Sequence, residues 1–192
     1  MIIHINSYPG VGKLAIAKIL QERLQGRLLD NHSIYNVALA LTEFKSPAYF
    51  DTIRAVREIA YKRVLELPKG IPVILTNAHF ADSAWGNQCW DAVKELSRLR
   101  GVPLLIVVFD CSVEENAKRI QSLDRELKRK PRDPTMFRGN VEDKPLLDRD
   151  GDHLLRLDIT GLTAEEAATQ VGGWVMDVTG AKLSQDKGPH VR

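Results

Sequence analysis
Eight consecutive residues near the start of the chain, Ser7-Tyr8-Pro9-Gly10-Val11-Gly12-Lys13-Leu14, have the types and spacing to hold a polyanion. Gly10 and Gly12 lack a Cβ, so the main chain there can turn tightly and lie close to an oxyanion. Main-chain N–H groups of such a turn point inward, a following helix adds the partial positive charge of its N-terminus, and Lys13 adds a full one. The bland alternative is an ordinary turn with a solvated lysine. What favours the cradle is its setting, between a strand and a helix.

The elements that must position these residues can be read from periodicity. Residues 1–5 form an apolar, isoleucine-rich run expected as a strand buried on both faces. After the turn, Ile16, Ile19, Leu20 and Leu24 share one face of a helix that Gly26 ends. Residues 27–30 read as a short second strand closing on Asp30, and residues 31–44 as a helix. Ser46-Pro47 starts a long helix that keeps its apolar period to Leu67, before Pro68 and Gly70. Residues 73–76 and 104–109 are buried strands, with a helix between them capped by Asp82 or Ser83. Ser112 and Thr163 each stand three residues before a glutamate and start further helices, the first spanning 114–122, with a last strand over 153–159 between them. Strands alternating with helices imply a parallel sheet covered on both faces, with ligands bound at the carboxyl ends of its strands. That edge gathers the cradle, Asp30, Asn77 and His79, Asp110, and Thr160.

The turn resembles the P-loop, or Walker A motif, GxxxxGK[ST]. Ser7 stands where the first glycine is usual, and Leu14 where a Ser/Thr hydroxyl would ligate Mg²⁺; Ala15 offers no substitute. Phosphate binding by the amides is untouched by these departures, but one protein ligand of the metal is gone. Over nearly its whole length the chain resembles the P-loop small-molecule and nucleoside monophosphate kinases. That branch includes shikimate, gluconate and adenylate kinases and chloramphenicol phosphotransferase. The resemblance rests on the loop SYPGVGK, the short strand ending at Asp30, two helices before the third strand, and a basic segment between the fourth and fifth. The glycine pair that marks shikimate kinases after the third strand is replaced by Asn77-Ala78-His79.

The resemblance implies an α/β, three-layer P-loop NTPase fold: a five-stranded parallel sheet with helices on both faces and a lid segment. Residues 1–179 would form that domain, with acceptor-binding helices over 31–70, a basic lid over 119–145 and a flexible tail over 180–192. It further implies ATP as cofactor, with Mg²⁺ lacking the usual hydroxyl ligand at Leu14, and transfer of a phosphoryl group to a small hydroxyl- or phosphate-bearing metabolite. Ser7 to Leu14 would bind the nucleotide together with Arg119, Arg132 and Thr160, and Arg119 could stack on the adenine. Lys13, Asp30, Arg125 and Arg129 would be catalytic, Asp30 orienting or deprotonating the acceptor or holding a metal-bound water. Lid arginines would neutralise charge that spreads over the transferred group. The bland reading of Asp30 is a helix cap, and that of the basic stretch a solvated loop.

Composition narrows the field. A chain of 192 residues, 44% apolar, fits one domain with a sizeable core. It has no apolar run of membrane-spanning length and no basic leader, so a cytoplasmic protein is expected. Cys89 and Cys111 lack metal-ligand spacing and read as reduced thiols. The net charge of +2 divides unevenly, +4 over residues 118–144 and −2 elsewhere. Without interleaved aromatics this basic run does not favour nucleic acid, and a polynucleotide end kinase ranks third. The second-ranked reading, a nucleotide-binding sensor or partner-binding protein without turnover, draws on Leu14. His32 and His79 read more readily as structural than as ligands, Asp110 as a cap beside Ser112. Of Trp85 and Trp90, at least one is expected in the core and the other could line the acceptor pocket.

Overall fold
A computed structural model describes residues 1–120 and 144–180. Strand β1 (Ile2–Ser7) leads into α1 (Lys13–Arg23), β2 (Arg27–Asp30), α2 (Asn31–Leu41) and α3 (Pro47–Glu66). Then come β3 (Val73–Asn77), α4 (Ala84–Arg100), β4 (Leu104–Asp110), α5 (Val113–Ile120), β5 (His153–Asp158) and α6 (Ala164–Thr179). The five strands are parallel in the order β2-β3-β1-β4-β5. No helix among the described residues is long and apolar enough to cross a membrane.

The sheet is sandwiched because each central strand buries both faces. Ile3 and Ile5 of β1 point with Leu105, Val107 and Phe109 of β4 into a core closed by α1 and α6. Ile2, on the opposite face, packs with Ile106, Val108 and Leu75 under Trp90, Val93 and Leu96 of α4 and Val64 of α3. Alternation then dictates that His4 and Asn6 share the face of Ile2. Both are wholly buried, so the central strand carries two polar side chains into the α4 side of the core.

Local chemistry sets most helix ends where the sequence placed them. Ser46 accepts from the Tyr49 N–H with Pro47 next to it, and Ser83 accepts from the Gly86 N–H. Thr163 and Glu166 form a reciprocal capping box. Helix α2 is three residues shorter than expected: it stops at Leu41, where Thr42 turns extended and its hydroxyl bonds back to the Ala38 carbonyl. Strand β1 runs two residues further than expected because Asn6 and Ser7 pair with Val108 and Phe109 of β4. Of the expected lid and tail, residues 121–143 and 181–192, with Arg125, Arg129 and Arg132, lie outside the described residues.

Candidate functional site
The cradle follows β1 at the centre of the sheet's carboxyl edge. Gly10 (φ 88°) and Gly12 (φ 109°) both adopt left-handed backbone, and Gly12 caps α1. Crowding adds a second reason for glycine at position 10, since a Cβ there would lie 2.3 Å from Ile120 Cγ1. Among the described residues nothing accepts from the N–H groups of Gly10, Val11 and Gly12. Lys13 curls back over the loop, donating to the Ser7 and Tyr8 carbonyls at 3.1 and 3.0 Å. The Tyr8 hydroxyl donates to the Lys144 carbonyl at 3.0 Å, which ties the loop to the chain returning toward β5.

Helix α5 braces the cradle from behind. Arg119 donates to the Val11 carbonyl at 2.8 Å and to the Ile159 and Leu162 carbonyls at 3.0 and 3.1 Å, while Glu115 holds its Nε. Asn116 reaches the Pro9 carbonyl at 3.2 Å. Ser112 accepts from the Glu115 N–H, but the Glu115 carboxylate goes to Arg119, so only half of the expected capping box forms. Thr160 spends its hydroxyl oxygen on the Ser112 N–H, and Asp110 its carboxylate on the Cys111 N–H.

The second half of the edge is a cleft between the sheet and helices α2, α3 and α4. Asp30 lies in register with Thr76, and Thr76 with Ile5, so Asp30 stands two strand spacings, about 10 Å, from β1. Its carboxylate accepts from the Thr76 hydroxyl and makes no cap bond to α2, which sets aside the capping alternative. Thr76, Asn77, His79, Tyr35, Arg57 and Cys89 line the cleft. Arg57 is half-buried, donates to Cys89 Sγ at 2.9 Å and lies over the Trp85 ring, with no carboxylate in ion-pair range among the described residues. Trp85 donates to the Tyr35 hydroxyl, and Trp90 is the core tryptophan. Burial pushes the Tyr35 and Tyr61 phenols and the Cys89 thiol up, so all three stay protonated.

Behind the cleft lies a buried imidazole pair. The His79 and His4 rings lie 5.4 Å apart, tilted by 48°, and each leaves Nδ1 without a hydrogen-bond partner among the described residues. Burial first, then Arg57 and Lys13, brings His79 down to about 3; burial and then His79 hold His4 well below the usual histidine range. Both are neutral near pH 7. Asn6 fixes this corner by bonding the His79 N–H and carbonyl and the Leu147 carbonyl. His4, Asn6, Arg57 and Asn116 escaped the sequence reading. A signal existed for the first two: polar residues at alternate positions of an otherwise apolar strand.

Cradle, parallel order and cleft define a P-loop kinase-like fold. No family model matches the sequence, and no curated protein does. Solved structures match its fold. A sugar kinase from a Janibacter species is 14% identical at TM-score 0.59, covering 94% of this chain and 97% of its own. The APS kinase of Mycobacterium tuberculosis, solved with AMPPNP and APS, is 14% identical at 0.55, with 91% and 96% covered. Shikimate kinase from Aquifex aeolicus is 17% identical at 0.51, with 93% and 98% covered. The chain is thus similar to kinases of small molecules, as its motifs imply.

The resemblance also implies Mg²⁺. At Leu14, in the first turn of α1, an alkyl chain stands where a hydroxyl would ligate, and no three His, Cys, Asp or Glu side chains gather among the described residues. The donor set does not fit a metal bound to protein at this turn; of the carboxylates ending strands at this edge, Asp110 on the neighbouring β4 and Asp30 two strands away each have one oxygen already engaged, by the Cys111 N–H and the Thr76 hydroxyl.

Proposed function
We propose that this protein is an ATP-dependent phosphotransferase acting on a small hydroxyl- or phosphate-bearing metabolite. The observation that carries the reading is the cradle itself: glycine-shaped amides without acceptors among the described residues, beside Lys13, at the carboxyl edge of a kinase-like sheet. The amides and Lys13 hold the β- and γ-phosphates. Asp30 orients the acceptor and takes its hydroxyl proton as the acceptor oxygen bonds the γ-phosphorus and ADP leaves. An acceptor bearing an anionic group suits Arg57, a cation facing the cleft without a carboxylate partner among the described residues. Arg125, Arg129 and Arg132, on the segment after α5, would neutralise the transferred charge.

Replacing Lys13 with Met should weaken ATP binding about 10–100-fold in calorimetry, the worth of one charge-assisted contact. An unchanged affinity would remove the cradle assignment. Leu14 favours a second reading, a nucleotide-binding sensor without turnover. Incubation with ATP and Mg²⁺ across a metabolite panel separates the two: ADP release with any acceptor supports the kinase, and binding without release supports the sensor.

A further inference from the structure
We propose that Asn116 and Arg119 are positioning residues that aim the cradle's amides, so that α5 sets polyphosphate affinity without touching the ligand. The argument begins with the peptide bond. In a trans peptide the C=O of one residue and the N–H of the next point in opposite directions. Fixing the carbonyl outward therefore fixes the following N–H inward.

Two peptides of the loop are held this way. The Pro9 carbonyl takes a hydrogen bond from Asn116, so the Gly10 N–H faces away from α5. The Val11 carbonyl takes one from Arg119, so the Gly12 N–H faces away too. Asn116 and Arg119 are three apart on α5 and lie on one helix face, which matches the two-residue repeat of the alternate carbonyls they hold. Between these bonds Ile120, wholly buried, seats against Gly10 at a separation only glycine tolerates. The loop cannot drift toward α5, and its two left-handed glycines cannot relax their peptide planes.

The brace is itself anchored. Glu115 fixes the Arg119 Nε, and the far nitrogen of the guanidinium bonds the Ile159 and Leu162 carbonyls after β5. Asn116 is buried, with its amide committed to the Pro9 carbonyl. On the opposite side of the loop Lys13 takes the Ser7 and Tyr8 carbonyls, and because Pro9 has no N–H, the Tyr8–Pro9 peptide has no amide to aim. Every carbonyl from Ser7 to Val11 with an assigned bond is thus held by a named side chain, and the N–H groups of Gly10 and Gly12 are left for an anion. Preorganised donors of this kind need no reorganisation when the ligand arrives.

This rests on reading the loop as a polyphosphate cradle, and the test separates the two. Calorimetry at fixed ionic strength would compare ATP with inorganic tripolyphosphate, which has no base, for the wild type and for Arg119→Gln, Arg119→Lys and Asn116→Leu. Arg119→Gln should weaken both ligands in step, by about tenfold, and the uncharged Asn116→Leu should do so by about threefold. Arg119→Lys keeps the charge but loses the fork, so it should restore only part of the loss. In the wild type, tripolyphosphate should shift the amide resonances of Gly10 and Gly12, and these shifts should shrink in each variant. Loss confined to ATP would make Arg119 a base contact and overturn the proposal. Full recovery in Arg119→Lys would make the effect one of charge and overturn it, as would a lowered melting temperature with unchanged affinities. A wild type that binds neither ligand refutes the cradle, and the positioning role with it.

Discussion
The two halves of the site are built by opposite means. On the proposed nucleotide side the groups are main-chain amides from one run of consecutive residues, shaped by two left-handed glycines and held from α5. On the proposed acceptor side they are side chains from β2, α2, α3, β3, the turn after β3 and α4: Asp30, Tyr35, Arg57, Thr76, His79 and Cys89. An amide cradle recognises what every nucleoside triphosphate shares. A cleft of side chains can be re-specified one residue at a time while the sheet stays the same. The proposed function therefore assigns the generic part of the reaction to the backbone and the particular part to side chains, and substitutions should separate along that line.

The largest separation is expected at Asp30. Asp30→Asn keeps the shape and the acceptor oxygen for Thr76 but removes the base, so kcat should fall about 10²–10⁴-fold while the ATP dissociation constant stays within about threefold. A matching loss of ATP affinity would place Asp30 on the nucleotide side and break the division. Arg57→Gln comes next. It should raise the acceptor KM about 10–100-fold, the range for a charge-assisted contact, with ATP affinity unchanged. Steady-state kinetics with each substrate varied in turn reads both terms, and an Arg57 variant with an unaltered acceptor KM would remove the anionic group from the proposed substrate.

The same division explains what the sequence disclosed. The cradle is legible locally, because its glycines, lysine and flanking elements are contiguous and its left-handed turns follow from steric rules of the chain itself. The parallel sheet and its layers followed from the alternation of apolar strands with amphipathic helices, whereas the spatial order β2-β3-β1-β4-β5 did not. Asp30 could be singled out because it ends a strand. Arg57 could not: it sits on the long helix α3 among Arg54 and Arg63, and nothing in its spacing marks it as the one meeting Cys89 and the cleft. Cys89 read as a reduced thiol, a reading that misses its guanidinium neighbour. Asn116 and Arg119 were invisible as a pair because their partners, the Pro9 and Val11 carbonyls, are more than a hundred residues away.

A smaller effect probes the imidazole pair beside the cleft. His4 and His79 stay neutral in the folded protein, whereas the unfolded chain protonates them near pH 6.5. As pH falls below about 6.5, the unfolded state gains protons that the folded state refuses, so stability drops. Each histidine contributes about 1.4 kcal/mol per pH unit, continuing for His79 down to about pH 3. Urea unfolding between about pH 6 and pH 5, above most carboxylate titration, should show a slope that His79→Gln reduces by about half. An unchanged slope would mean that His79 takes up its proton without unfolding, and the cleft would then hold a charge on its acceptor side that the present geometry excludes.

The smallest expected effect is also the one that touches the nucleotide side through a side chain. Of the two positions of the cradle that depart from the resemblance, Ser7 and Leu14, only Leu14 concerns the metal rather than the shape of the turn. Leu14→Thr returns a hydroxyl to the first turn of α1 at the cost of one partly buried alkyl chain. If the amides and Lys13 already supply the affinity, the metal-free ATP dissociation constant should barely move. With Mg²⁺ present, the variant should bind ATP up to about tenfold more tightly, ~1.4 kcal/mol, whereas the wild type should bind with nearly equal affinity in Mg²⁺ and in chelator. A wild type already strongly dependent on Mg²⁺ would require a ligand other than residue 14, and Asp30, with its one oxygen outside the Thr76 bond, would be the first to replace. In that case the carboxylate assigned to the acceptor would serve the nucleotide as well, and the two halves of the site would meet at one residue.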